Sequence, residues 1–168
     1  MPEYWLHLAV PASAPLQRLD QFLRDIWLEC CGHLSAFHIA GETYESAPEE
    51  NPWGGRAKGM SARLESVVAP GIKFTHEYDF GSTTELALQV IGERSGKMSK
   101  IQLLARNDPP HIPCAECGEP ATQVCSQCIY AGPEAWLCDE HAEEHECGGD
   151  YFLPVVNSPR VGVCGYTG

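Results

Sequence analysis

Eight side chains able to bind a metal ion fall within 34 residues near the end of the chain: Cys114 and Cys117, Cys125 and Cys128, Cys138 and His141, then His145 and Cys147. Two residues separate the members of each of the first three pairs, a spacing at which a tight turn aims both ligand atoms at one ion. Zinc takes four thiolate or imidazole ligands in a tetrahedron, so eight suit two zinc ions. Nine cysteines is an odd number. Their crowding with histidines into one segment fits thiolates that bind metal in a reducing compartment better than it fits disulfides. A cytoplasmic location is therefore expected.

A second set of polar residues raises acid-base chemistry. His33, His38, His76, Glu77, Tyr78 and Asp79 are candidates for one cleft, and a histidine beside a carboxylate can move protons at neutral pH. Within it His33, His76 and Asp79 are the candidate catalytic residues. The competing expectation is that His38, His76 and Tyr78 are ordinary alternating strand residues and that Asp79 caps a turn at Gly81. The second is favoured, since no nucleophile stands in a recognisable setting and no Gly-rich phosphate loop follows a strand. Cys30-Cys31 reads as the buried end of a helix, because adjacent cysteines lack the two-residue spacing of thiol oxidoreductases.

Charge narrows the function classes. The net charge is -12, and residues 108–168 hold ten acidic side chains against one basic, Arg160, while residues 1–107 hold thirteen acidic and ten basic. Six thiolates and two neutral histidines around two dications would make the acidic end more negative still. Such a surface repels phosphate, and nucleic-acid binding draws most of its affinity from lysine and arginine. No apolar stretch approaches the roughly 20 residues that cross a bilayer, and no basic cluster opens the chain, so neither membrane insertion nor export is expected.

The elements that must carry these residues follow from periodicity. Residues 4–10 alternate as a strand through Tyr4, Leu6, Leu8 and Val10. Leu16, Leu19, Phe22, Leu23, Ile26 and Trp27 recur at helical spacing after Pro15, with Gly32 as a stop. A strand over 34–40 turns at Gly41 and continues through Thr43 and Tyr44; residues 47–59, rich in Pro and Gly, form a surface loop; a short helix covers 61–68. Strands over 72–80, 83–92 and 100–106 make a meander, the last two joined by a turn at 93–97. The order predicts an α+β domain over 1–107, an antiparallel-rich sheet with two helices on one face, and a zinc-binding module with a tail over 108–168. Pro109-Pro110 marks the boundary.

Two family resemblances fit these signatures. The helix over 16–27, His33-Leu34 with Phe37 and Ile39, Gly41 with Tyr44, and Tyr78-Asp79-Phe80-Gly81 resemble, in that order, the family named after an open reading frame of the plasmid pRiA4b (pRiA4b ORF-3-like). The resemblance covers residues 4–106. It implies kinship with proteins of bacterial and archaeal genomes and plasmids, some near mobile elements, and no firm catalytic mechanism. Ser82, Thr83, Thr84 and Glu85 follow Gly81 where the family continues with an aspartate, then a tryptophan and a histidine, so a site built on those residues would be depleted here.

Cys114-x2-Cys117, Cys125-x2-Cys128, Cys138-x2-His141 and His145, with the run Leu137-Cys138-Asp139-Glu140-His141-Ala142-Glu143-Glu144-His145, resemble the B-box class of zinc finger. That resemblance implies a cross-brace: Cys114, Cys117, Cys138 and His141 on one ion, Cys125, Cys128 and His145 on the other, with Cys147 or Cys164 as the eighth ligand. A sequential pairing would join two turns over only seven residues. A single nucleic-acid-binding finger over Cys125, Cys128, His141 and His145 has the right spacing. It finds Gly132 and Cys138 where an aromatic and a leucine belong, and Asp139, Glu140, Glu143, Glu144 and Glu146 on the helix meant for the groove. With every position filled by protein the zinc would be structural, and Trp136 and Leu137 would be the module's small core.

The expected function is non-catalytic, a protein-interaction or adaptor module that binds a protein partner or itself. The alternatives are an enzyme built around His33, His76 and Asp79, and a nucleic-acid protein of a mobile element. The charge distribution predicts that a gel-shift assay at physiological salt finds no retardation of duplex DNA at micromolar protein, and clear retardation there would reinstate the last alternative.

Overall fold

The computed structural model describes residues 3–48 and 57–168, so most of the Pro/Gly-rich loop expected at 47–59 lies outside the described residues. The chain divides into two compact units. One, the cysteine-rich unit, comprises Met1–Leu6, Trp27–Cys30 and Arg106–Gly168; the other, the sheet unit, comprises His7–Ile26 and Cys31–Ala105. The chain passes from the second to the first beside the Asn107-Asp108-Pro109-Pro110 boundary. Two short pieces of the first hundred residues also belong to the cysteine-rich unit, and periodicity gives no sign of that.

In the sheet unit a five-stranded sheet runs in the order β4-β3-β2-β5-β6: β2 (Ser35–Ile39), β3 (Glu42–Glu45), β4 (Lys58–Gly59), β5 (Lys73–Tyr78) and β6 (Thr84–Gln89). Every pairing is antiparallel except β3 with β4. Ala40 and Gly41, with φ of 51° and 83°, make the two-residue turn between β2 and β3, where Ile39 faces Glu42. Both turn positions need positive φ, which is the primed turn that matches strand twist. The register puts Phe37 opposite His76 and His76 opposite Leu86, so Phe37, Phe74, His76, Tyr78 and Leu86 share a buried face.

Helix α1 (Leu16–Leu23) lies on that face. Its Leu16, Leu19 and Leu23 recur at three and four residues and are buried, and Pro15 starts the helix in extended conformation. The regular helix is shorter than the expected 16–27, because residues Arg24–Leu28 continue as a π-helical turn. That wider turn redirects Trp27 and Leu28, both buried. A single turn, α2 (Leu64–Val67), is tied by its first amides to Ala14 and Ala12 carbonyls.

The meander over 72–106 does not form as expected. Strand β7 (Gln102–Arg106) pairs with β1 (Leu6–Ala9) in a separate two-stranded sheet instead of following β6. Residues 91–97 are exposed and carry Glu93, Arg94, Lys97 and two glycines, so nothing folds them into a tight hairpin.

The sheet unit has a polar centre. Asp20 of α1, 4 % exposed, accepts hydrogen bonds at Oδ1 from Ser35 Oγ and His76 Nε2, both at 2.7 Å, and at Oδ2 from Arg24 Nε at 2.9 Å. Arg24 also donates to the His33 carbonyl and to Ser35 Oγ, and stacks over the Tyr78 ring. Burial alone would raise the Asp20 pKa. The hydrogen bonds from His76 and Ser35 and the charge of Arg24 outweigh it and hold the carboxyl below its ordinary value.

In the cysteine-rich unit β8 (Gln123–Cys125) is flanked by β10 (Phe152–Pro154) and β9 (Trp136–Leu137), both antiparallel. Leu137 is buried as expected, but Trp136 lies at the edge of a larger core. Val124, Ala135 and Val161 form its centre, with Tyr4, Ile129, Leu153, Val155 and Val156 packed around it. The tail after β10 is therefore part of the fold. Trp27 Nε1 donates to the Asn157 carbonyl at 3.1 Å, Ser158 Oγ donates to the Trp27 carbonyl at 2.6 Å, and Asn107 and Asn157 bond each other through their side-chain amides.

Two stability predictions follow. Asp20→Ala leaves a buried histidine and arginine without their acceptor and should cost about 3 kcal/mol in denaturant unfolding. Because the folded Asp20 pKa is lowered, its contribution is full above the ordinary carboxylate pKa and is lost as pH falls through the folded value. Acid unfolding of the Asp20→Asn protein should accordingly show a shallower slope below pH 4. Separately, Gly162 has φ 77°, and a Cβ there would run into Ile129 and Val124. Gly162→Ala should destabilise the chain by about 2 kcal/mol, read as a lower Tm.

Candidate metal centres

Each ligand turn is built by local backbone bonds. Cys114 N–H donates to the Glu119 carbonyl at 2.7 Å and Gly118 N–H to the Cys114 carbonyl at 3.0 Å, with Gly118 at φ 78° closing the loop that aims Cys114 and Cys117 together. Cys125 ends β8, and the amides of Cys128 and Ile129 turn back onto its carbonyl. Cys138 follows β9 and precedes α3 (Asp139–Glu143), which carries His141; His145 and Cys147 come just after the helix. Amides of Ala115 and Thr122 bond the Trp136 and Leu137 carbonyls, which brings the Cys138 turn alongside the first.

The result is two interleaved groups. Cys114, Cys117, Cys138 and His141 converge, and so do Cys125, Cys128, His145 and Cys147, with all ligand atoms of a group within 4.8 Å of one another. In the first, Cys117 Sγ lies 3.9 Å from Cys138 Sγ, and His141 Nδ1 lies 3.7 Å from Cys114 Sγ and 3.1 Å from Cys138 Sγ. In the second, Cys128 Sγ lies 3.6 Å from Cys147 Sγ and 3.5 Å from His145 Nε2. A tetrahedral ion with sulfur at about 2.3 Å and nitrogen at about 2.0 Å has edges of roughly 3.5–3.8 Å, so most of these separations are those of ligands around a common centre. The Phe152 ring packs edge-on against His145 and helps fix it.

Electrostatics point the same way. Burial would raise the Cys114 pKa, but the backbone around Cys138, Cys117 and Glu116 hydrogen-bonds its sulfur and brings it down to about 6. Cys128, beside Cys147 and partly desolvated, is pushed up to about 12, and the His141 pKa is raised chiefly by its contact with Cys138. Thiols this close cannot all ionise alone. A dication in the centre supplies the missing positive charge, so each group can hold a metal ion of the zinc type and has no ligand position left open.

Cys164 joins neither group; Cys147 completes the second. Cys164 instead lies, within the cysteine-rich unit, beside Cys30, their sulfurs within 4.8 Å. Cys30 is half-buried and Cys31 exposed, so this pair is not the buried helix end expected from sequence. Cys31 Sγ stands 3.0 Å from His33 Nε2 in the sheet unit.

The acid-base candidates do not share one cleft. His76 is completely buried against Asp20 and Phe37. His38 and Glu77 pair with each other at 3.3 Å on the opposite face of the sheet. Asp79, at φ 66°, accepts from Gly81 N–H at 3.0 Å, as a turn cap does, and its other oxygen lies 3.5 Å from His33 Nε2. His76, the central member of the trio, has no surface to offer a substrate.

No protein-family model, no curated protein and no solved structure matches the chain. No helix among the described residues is long and apolar enough to cross a membrane.

Since metal binding must displace protons from thiols such as Cys128, lower pH opposes it. Affinity measured by competition with a chromophoric chelator should fall by more than about tenfold per unit between pH 8 and pH 6; a flat profile would show that the thiols are not the ligands.

Proposed function

We propose that the chain is a non-catalytic zinc protein whose cysteine-rich unit is a cross-braced, B-box-like finger that contacts a protein, either another partner or a second copy of itself. The observation that carries this reading is the interleaving of the two ligand groups, first pair with third and second with fourth. Four protein ligands around each of two zinc ions exclude a bound water, so the metal folds the segment and performs no hydrolysis. What the fold then presents is an acidic surface. Asp139, Glu140, Glu143, Glu144 and Glu146 are exposed on and just after α3, and Tyr130 and Tyr151 are large exposed aromatics of the same unit. Aromatic residues are enriched where proteins meet, and carboxylates select a basic partner face while repelling phosphate.

The sheet unit is read as a member of the pRiA4b ORF-3-like group by its local signatures, working in a reducing cytoplasmic setting. Its buried Asp20 and His76 serve the fold.

The test is association measured by analytical ultracentrifugation, chemical cross-linking and pull-down, comparing the unaltered chain with Glu140→Lys/Glu143→Lys/Glu144→Lys. Zinc content should be unchanged, and association should weaken at least tenfold. Identical association by both proteins, or none by the unaltered chain, would remove the interaction reading.

A further inference from the structure

We propose that Cys30 and Cys164 form a reversible disulfide, closed by a hydroperoxide and opened by a dithiol, that latches the tail of the cysteine-rich unit to its Trp27–Cys30 segment. Both residues belong to that one unit, and they are its two cysteines that neither cross-braced group uses.

The two pieces of chain are held side by side before any bond forms between the sulfurs. On the approach to each cysteine, Trp27 Nε1 donates to the Asn157 carbonyl at 3.1 Å and Ser158 Oγ donates to the Trp27 carbonyl at 2.6 Å. From Arg160 the tail makes two successive turns: Val163 N–H donates to the Arg160 carbonyl at 3.1 Å, and Tyr166 N–H to the Val163 carbonyl at 3.0 Å. Cys164 at φ 50° and Gly165 at φ 69° are the central pair of the second, a primed turn, and the buried Tyr166 pins its end. The Cys164 sulfur thereby comes within 4.8 Å of the Cys30 sulfur. A disulfide is about 2.05 Å long, so closure asks for a further approach of about 2.8 Å or less, which rotation of the side chains between staggered positions covers.

Access and charge suit the pair to exchange. Cys164 is exposed and Cys30 half-buried, so an oxidant or a reductant reaches the outer sulfur first. Among its contacts the buried Arg160 places a guanidinium nitrogen 3.5 Å from Cys30 Sγ. Positive charge beside a sulfur favours the thiolate, the form that attacks. The Cys164 thiolate attacks one oxygen of the hydroperoxide, the O–O bond breaks, and the departing oxygen takes a proton, leaving Cys164 as a sulfenic acid. The Cys30 thiolate then attacks the Cys164 sulfur: an S–S bond forms, the S–O bond breaks, and the hydroxide leaves as water. Over both steps the two thiols give up two protons and two electrons, and hydrogen peroxide takes them up as two waters. A dithiol reverses the closure by thiol–disulfide exchange. In a reducing compartment such a bond is transient, as redox-sensing disulfides are.

The latch does not rest on the interaction reading. Its test treats the full-length chain, purified in the presence of zinc(II), with stoichiometric hydrogen peroxide, blocks the remaining thiols with N-ethylmaleimide and maps cross-linked peptides by mass spectrometry. One peptide pair should join Cys30 to Cys164 and disappear with dithiothreitol, metal content should be unchanged, and Tm should rise by about 3 °C or more over the reduced chain. Cys164→Ser should lose both the bridge and the rise. Bridges only among the ligand cysteines with loss of metal, a bridge from Cys30 or Cys164 to any other cysteine, or no bridge at all would overturn the proposal. A bridge that leaves Tm unchanged would overturn it too, since it latches nothing. Should Cys164→Ser fail to fold, Cys30→Ser decides: Cys164 then lacks its resolving thiol, so dimedone should trap a sulfenic acid there, and an unmodified Cys164 overturns the proposal.

Discussion

The constraint on which the cysteine-rich unit depends is the shortness of its regular elements: β8, β9 and β10 span two or three residues each and α3 five. One core cluster there centres on Val124, Ala135 and Val161, and Trp27, Leu28, Leu137 and Tyr166 are buried in the same unit. Interleaved ligand groups compensate in a particular way. A metal ion in each group would tie the turn at Cys114–Cys117 to the one at Cys138–His141 across β8, and Cys125–Cys128 to His145–Cys147 across α3. Neither group can assemble without ordering the chain that belongs to the other. Bound metal would thus convert two local ligand sets into one cooperative fold, onto which β10 adds by pairing with β8.

The sheet unit solves the opposite problem. It has apolar surface in plenty, and what needs explaining is its buried polar centre. Asp20 receives Ser35 from β2, His76 from β5 and Arg24 from the π-helical turn. Each of these donors sits on a different element, so the carboxylate fixes where α1 lies along the sheet as well as that it lies there. A purely apolar contact would leave that sliding freedom open. The same saturation argues against chemistry: an Asp–His pair sealed beneath a helix can position elements, but it cannot meet a substrate.

What was legible in the sequence was local. The spacing of Leu16, Leu19 and Leu23 gave α1, Gly41 gave its turn, the alternation through Phe74, His76 and Tyr78 gave β5, and the two-residue gaps gave the ligand turns. What was not legible was long-range. Nothing in β7 says that it pairs with β1, because edge pairing leaves no periodic trace beyond its own strand. Residues 3–6 and 27–30 join the cysteine-rich unit through bonds from Trp5 to Asn107 and from Trp27 to Asn157, spanning 102 and 130 positions. The π-helical turn was hidden for a different reason: apolar spacing continues through Ile26 and Trp27 whether the turn holds four residues or five.

The same long-range bonds decide how the leftover cysteine is understood. From spacing alone Cys164 competes with Cys147 for one position, and the competition is settled by geometry: only one residue separates Cys147 from His145, yet the turn at Gly148, φ 77°, places its sulfur 3.6 Å from Cys128. Cys164 then lies elsewhere in the cysteine-rich unit, its sulfur within 4.8 Å of that of Cys30, on a tail that Ser158 ties to the Trp27 carbonyl.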